Sequence, residues 1–378
     1  MRIAFYAPMK PPDHSAPSGD RRVARLLIQA LGLAGHEVAL ASRLRSYDRE
    51  GSRRRQAALR ASGARLARRL VESLQQRPAD ERPDLWFTYH LYHKAPDWLG
   101  PAVAGALGIP YVVAEASFAR KQAGGPHASG HAAVARALAR ADAVISFTPE
   151  DEAGVAPLVR EARRLHRLAP FLDQAPFAAA RAGRAAHRAA LARRLELDPA
   201  LPWLLAVGMM RPGDKLASYR LLARALDLIA GRRYALIVVG DGAARATVED
   251  ELAGPLVRMA GAQEPEAMPE FYAAADLMVW PAVNEAYGMA LLEAAAAGLP
   301  AIAGRERGVP EIIAEGETGR LVEPRRPEAF AAALVALLDD EGLRARLGAA
   351  AMARVAERHS LSAASAALDA ILHALVRR

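Results

Sequence analysis

The chain has 378 residues, a formal net charge of +8, 52% hydrophobic residues and no cysteine. That length exceeds what one core usually organises, so two domains are expected, with apolar residues enough to fill both. Disulfides and thiolate metal sites are excluded, no stretch reaches the ~18 apolar residues of a membrane helix, and the opening run is too short for a signal peptide, so a cytoplasmic protein is expected.

The charge is uneven. Residues 1–175 carry 26 Lys and Arg against 17 Asp and Glu, a net +9, whereas residues 176–378 carry 24 against 25, a net −1. A basic half suits nucleic acid, an anionic membrane or a phosphorylated substrate, and charge alone does not choose among them.

Short β-branched or aromatic runs alternate with amphipathic stretches, the pattern of parallel sheets covered by helices. The first run, Ile3–Tyr6, leads into "APMKPPDHSAPSGD", too long and proline-rich for a G-x-G-x-x-G turn, which counts against an NAD site. Gly19 would let backbone approach a donor phosphate or sugar; the equal alternative is that Ser18 or Asp20 only caps the helix that follows. Gly35-His36 stops that helix ahead of a strand at Glu37–Ser42. The segment "SRRRQAALRASGARLARRLVESLQQR" sets Leu59, Leu66, Leu70 and Leu74 on one helical face and arginines round the rest. It reads as a helix covering a sheet, with peripheral contact to an anionic membrane as the alternative.

A strand at Leu85–Thr88 is followed by His90 and His93. No acid nearby in sequence completes a metal set, so both are read as acceptor-side contacts or packing. Glu115 follows the strand Tyr111–Ala114 as a candidate acid, base or acceptor contact, with a surface ion pair as the alternative. Strands at Ala143–Phe147 and Leu165–Leu168 complete the first set. A strandless, proline-bounded stretch then places the domain boundary near Phe171–Ala175, giving domains of 1–172 and 173–363.

The second set begins with Trp203–Val207, followed by "GMMRPGDK". Arg211 and Lys215, ahead of a helix starting near Leu216, would clamp a diphosphate; a solvated loop is the alternative. Ala235–Val239 precedes "GDG", where glycines permit close backbone approach to a ligand. After Leu256–Met259 and Leu277–Trp280 comes "NEAYGMALLEAAAAGLP", with strands at Ala301–Ala303 and Arg320–Val322 beyond it. Gly288 breaks the chain, leaving Glu285 on a loop and Glu293 inside an alanine-rich helix. An unpaired buried carboxylate costs several kcal/mol, so Glu293 needs a partner. Two carboxylate oxygens match adjacent ribose hydroxyls, while the amides of Ala286, Tyr287, Gly288 and Met289 face phosphates and Glu285 reaches a sugar beyond. The alternative puts Glu293 on a wet face.

Glu285, seven residues, Glu293 and then "AAAAGLPAIAGRERGVPEII" and "GETGRLVEP" resemble the E-x7-E region of the GT-B glycosyltransferases, of the retaining family 4 type. "AVGMMRPGDK", "IVVGDG" and "MAGAQEPEAMPEFYAAADLMVWPA" precede it in that family's order. The front half matches in layout more than in motif. The resemblance implies an α/β GT-B fold, two Rossmann-like domains facing a cleft, with a final helix at 364–378 crossing back onto the first. It implies retaining, metal-independent transfer of a sugar from a nucleoside-diphosphate donor to a glycan or lipid-linked acceptor, with no other cofactor. No D-x-D occurs in the chain, in keeping with that. Carried over, Lys215 holds the diphosphate, Glu293 the ribose and Glu285 the transferred sugar, and Gly19 lies against the donor. Glu285 and Glu115 are the candidate catalytic residues. Three positions depart from the pattern. Met209 replaces the usual arginine, leaving Arg211 to substitute; a glycine pair is reduced to Gly19; Glu115 stands where many relatives have histidine. Rival readings are a GT-B epimerase or phosphorylase and a non-catalytic binding member; nothing in the sequence supports nucleic-acid binding.

Overall fold

The twelve expected apolar runs all form strands. In the computed structural model, which describes residues 1–16 and 18–376, they are shared between two units, Met1–Ala169 with Leu361–Arg378, and Pro170–Ser360. The expected boundaries, 172 and 363, lie three residues past these junctions.

The first unit holds β1 (Arg2–Tyr6), β2 (Glu37–Ser42), β3 (Leu85–Leu91), β4 (Tyr111–Ala116), β5 (Ala143–Ser146) and β6 (Leu165–Arg167). They pair in parallel in the order β2-β1-β3-β4-β5-β6. The second holds β7 (Trp203–Val207), β8 (Ala235–Val239), β9 (Val257–Gly261), β10 (Leu277–Trp280), β11 (Ala301–Gly304) and β12 (Gly319–Val322), parallel in the order β12-β11-β10-β7-β8-β9. Central strands such as β8 are buried along their whole length, as parallel strands covered on both faces must be. Strand order reverses between β1 and β3 and between β7 and β10. There the connections leave to opposite faces of the sheet, and a crevice opens beyond the carboxyl ends.

β3 and β4 outrun their expected lengths, so His90 and Glu115 sit within strands rather than after them. Both have positive φ, 61° and 56°. The left-handed region is unusual for a non-glycine residue and rarer still for glutamate.

The arginine-rich helix runs from Arg53 to Gln75, with Ser52 accepting from Arg55 N–H at its start. Leu66, Leu70, Val71 and Leu74 pack on the first unit's core, and Gly63 lies so close to Trp98 that a Cβ would come within 2.4 Å of it. The apolar stripe therefore covers the sheet, and the exposed side carries Arg53, Arg54, Arg60, Arg65, Arg68 and Arg69. Among the described residues, no helix is long and apolar enough to cross a membrane.

The last helix, Leu361–Val376, packs against the Gly19–Leu33 helix of the first unit. The final two residues of the expected 364–378 span lie outside the described residues. In the second unit the two ends of the segment are tied together. Leu172 N–H donates to His359 O at 3.0 Å, and buried His359 contacts Pro170 O through Nδ1 at 2.7 Å.

Candidate functional site

In the second unit the residues of interest gather at the reversal between β7 and β10. β7 leads into Gly208, whose carbonyl accepts from Tyr219 OH at 2.6 Å. A Cβ at Gly208 would lie 2.6 Å from the Trp280 ring, and one at Gly240 would lie 1.9 Å from Gly208 O. The "GDG" glycines thus serve a close approach of backbone to backbone, Gly240 on Gly208 and Gly242 on Met210.

Beyond Gly208, Met209 is half exposed. Arg211 is exposed, and its guanidinium has no ion pair or hydrogen bond among the described residues. The following helix is Asp214–Asp227, two residues earlier than expected, which puts Lys215 in its first turn. Lys215 Nζ pairs with Glu285 Oε2 and lies 5.2 Å over the Trp280 ring. Trp280 Nε1 donates to that same oxygen at 3.2 Å. An ammonium, a carboxylate and an indole from neighbouring strand ends so form one polar cluster.

The loop carrying Glu285 is held by the neighbouring helix. Val283 N–H donates to Ser218 Oγ at 3.0 Å, and Asn284 Nδ2 to Asp214 Oδ2 at 2.9 Å. Ala282, Asn284 and Gly288 take positive φ of 59°, 51° and 74°. Gly288 caps the Met289–Ala296 helix, and no side chain caps that end. Leu291 N–H turns back to Gly288 O at 2.8 Å, while the amides of Met289 and Ala290 have no partner among the described residues, a favourable place for an anion. Ala286 is exposed, and Tyr287 and Met289 are half-buried at this end.

Glu293 is buried, 5% exposed, so it does not lie on a wet face. Its partner differs from the one expected. Tyr272 OH, from the buried Met268–Ala274 helix, donates to Glu293 Oε2 at 2.6 Å. The carboxylate expected to depend on ribose hydroxyls is already held by a phenol.

In the first unit a second cluster forms at the reversal between β1 and β3. Ser18 does act as the helix cap, its hydroxyl accepting from Arg21 N–H at 3.3 Å. Gly19 opens the helix with free space where a Cβ would be. Asp20 turns towards β3, with Oδ1 2.8 Å from His90 Nδ1; Glu115 Oε1 is 3.9 Å from the same nitrogen. The sequence reading found no acid near His90; strand pairing brings two. The imidazole of His90 reaches Glu115 from β3.

Burial opposes the imidazolium of His90, but the Glu115 charge and the Asp20 contact outweigh it and raise its pKa. Glu115 is pushed up by burial, which its neighbour His90 only partly offsets. Asp20 meets the same burial penalty, yet its contact with His90 carries it below the ordinary value. His93 is not part of this cluster. Its ring packs edge-on against His127 at 5.5 Å, and burial, with the His127 charge, lowers its pKa.

Tyr272, Trp280 and Asp20 were not singled out as partners of these acids and cations. Trp280 carried a signal, an indole N–H at a strand's carboxyl end close to Glu285. For Tyr272, 21 residues from Glu293, there was none.

Residues 202–340 match the family model described as "Glycosyl transferases group 1". The chain is 31% identical over 251 residues to a D-inositol 3-phosphate glycosyltransferase of Xylanimonas cellulosilytica, covering 64% of this chain and 59% of that protein. It spans less than two thirds of the curated relatives it matches first, 22% in one case. Among solved structures, a glycosyltransferase from Rickettsia africae superposes with a TM-score of 0.77 at 15% identity, over 100% of this chain and 99% of that one. Anabaena HepE, in complex with UDP and glucose, does so at 0.71 and 15% identity, over 99% of both chains. Such likeness establishes the fold, GT-B, in which each unit is Rossmann-like.

Proposed function

We propose, from a chain whose residues 202–340 belong to the glycosyl transferases group 1 family, that the protein is a glycosyltransferase moving a sugar from a nucleoside-diphosphate donor to a glycan or lipid-linked acceptor with retention. The observation that carries the reading is the cluster of Lys215, Glu285 and Trp280 beside the uncapped start of the Met289–Ala296 helix. An ammonium next to unpartnered amides suits a diphosphate, whose charge grows as the sugar departs. Glu285 Oε1 has no hydrogen-bond partner among the described residues, which leaves an acceptor atom for a sugar hydroxyl. Arg211, unengaged two positions past Met209, takes the place of the usual arginine. Glu293, held by Tyr272 through Oε2, is the acid assigned to the ribose. UDP in the HepE structure makes uridine diphosphate sugars the first donors to try.

On the acceptor side the reading assigns His90, Asp20 and Glu115, while Gly19, at the start of the same helix as Asp20, allows close approach of the donor. The basic charge of this half favours an anionic acceptor, in line with the phosphorylated inositol in the name of the Xylanimonas relative. With Leu66, Leu70 and Leu74 of the Arg53–Gln75 helix packed against the core, attraction to an anionic cytoplasmic membrane face would be mainly electrostatic, through the exposed arginines. With no D-x-D motif in the chain, transfer is expected to proceed unchanged in EDTA.

The test is a thermal-shift panel of nucleotide sugars followed by transfer of radiolabelled sugar from any that bind, with the product anomer read by NMR. A bound donor raises the melting temperature by mass action. A folded protein that no nucleotide or nucleotide sugar stabilises would refute the reading. Glu285→Gln is expected to stay folded and lose transfer.

A further inference from the structure

We propose that His36, Asp369 and His373 bind one zinc-like divalent cation that pins the carboxy-terminal helix to the first unit. His36 closes the Gly19–Leu33 helix. Gly35 takes φ of 81° and His36 N–H donates to Leu31 O at 3.1 Å, the six-to-one bond of a Schellman turn. That turn fixes the imidazole beneath the Leu361–Val376 helix, its ring centroid 5.8 Å from that of His373. Asp369 and His373, one helical turn apart, lie on the same face.

The ligand atoms of the three residues all lie within 4.8 Å of one another. His36 Nε2 is 3.1 Å from Asp369 Oδ1, and His373 Nδ1 is 2.8 Å from that oxygen. Around a tetrahedral zinc with bonds of ~2.1 Å, neighbouring ligand atoms stand about 3.4 Å apart, so the trio needs only small side-chain adjustments. The contacts are close but poorly aligned for hydrogen bonds. Neither ring nitrogen of His36 has a hydrogen-bond partner among the described residues, nor does Asp369 Oδ1. His36 is 6% exposed, so a desolvated ring is left with both nitrogens unserved, and a cation on Nε2 serves one of them.

Asp369 and His373 are 38% and 43% exposed, which provides an entry route and room for a water as fourth ligand. His373 Nδ1 contacts the Asp369 main-chain oxygen at 3.1 Å; to bind through that atom the ring carries its proton on Nε2 instead. Two imidazoles and one carboxylate suit zinc, cobalt or nickel better than magnesium or calcium. The site precedes β2, at the opposite end of the sheet from His90 and Asp20, so its role is structural and independent of transfer.

The full-length chain, stripped with chelator, is dialysed against zinc chloride, then assayed by elemental analysis and thermal unfolding. One zinc per chain and a higher melting temperature are expected. The partly exposed variants His373→Ala and Asp369→Asn should fold and bind zinc at least tenfold more weakly, while His93→Ala binds as the parent does. Absence of stoichiometric zinc at micromolar free metal would overturn the proposal, as would equal retention by the parent, His373→Ala and Asp369→Asn.

Discussion

Removing one oxygen atom, in Tyr272→Phe, tests whether Glu293 is a desolvated acid held by the fold. The Tyr272 hydroxyl donates to Glu293 at 2.6 Å, both side chains are buried, and phenylalanine fills nearly the same space. The variant therefore deletes one hydrogen bond to a buried carboxyl group and adds nothing in its place. Such a loss costs about 1–3 kcal/mol, which for a unit of this size lowers the melting temperature by roughly 2–12 °C, at ~2–4 °C per kcal/mol. Tyr219→Phe is the internal comparison. Its hydroxyl also donates at 2.6 Å, but to the neutral Gly208 carbonyl, so about 0.5–1.5 kcal/mol is expected. Both are read by calorimetry, following the transition of the second unit. If Tyr272→Phe were neutral, or milder than Tyr219→Phe, Glu293 would not be a desolvated carboxylate and the argument for its role would fail. In Tyr272→Phe, donor KM should rise more than kcat falls, since Glu293 is assigned to the ribose and not to the bond being broken.

Lys215→Ala removes the cation assigned to the diphosphate and should lower kcat/KM about 10²–10³-fold with little change in folding, as measured by radiolabel transfer. Gly240→Ala would set a methyl 1.9 Å from Gly208 O at φ of 149°; a loss of at least ~2 kcal/mol is expected, seen as a lowered denaturation midpoint. For the first unit, the raised pKa of His90 means its stabilising contribution is complete below the ordinary histidine value of ~6.5 and drains away as pH rises through the folded value. The lowered Asp20 contributes above the ordinary carboxylate range and loses that as pH falls through its own folded value. His90→Asn should flatten the alkaline limb of melting temperature against pH. Binding to vesicles rich in anionic lipid should fall steeply with salt and be lost when Arg65, Arg68 and Arg69 become glutamate, as sedimentation would show.

What could be read beforehand follows the range of the forces involved. Strands and most helix ends are set by neighbours a few residues away, so all twelve runs were visible, and the Glu285–Glu293 spacing lay on one short segment. The His90 cluster was hidden because Asp20 meets His90 only through the pairing of β1 with β3, and strand order is not written in local pattern. The leucine stripe of Arg53–Gln75 looked alike for a protein core and for a lipid surface, as both reward an apolar face; Leu66, Leu70 and Leu74 pack against the first unit's core. The partner of Glu293 depended on two helices packing side by side, the contact least available to inspection of sequence. Longer β3 and β4 escaped notice because His90 and Glu115 take backbone angles that propensity does not anticipate.

Since Pro170 and Leu172 are fastened to His359, the chain enters and leaves the second unit at a single doorway. That unit is an insertion between residue 169 and residue 361, and its two cut ends would already be neighbours. Excised, it should need no tether to hold its termini together, and a circularly permuted version opened at an outer loop should fold as the parent does.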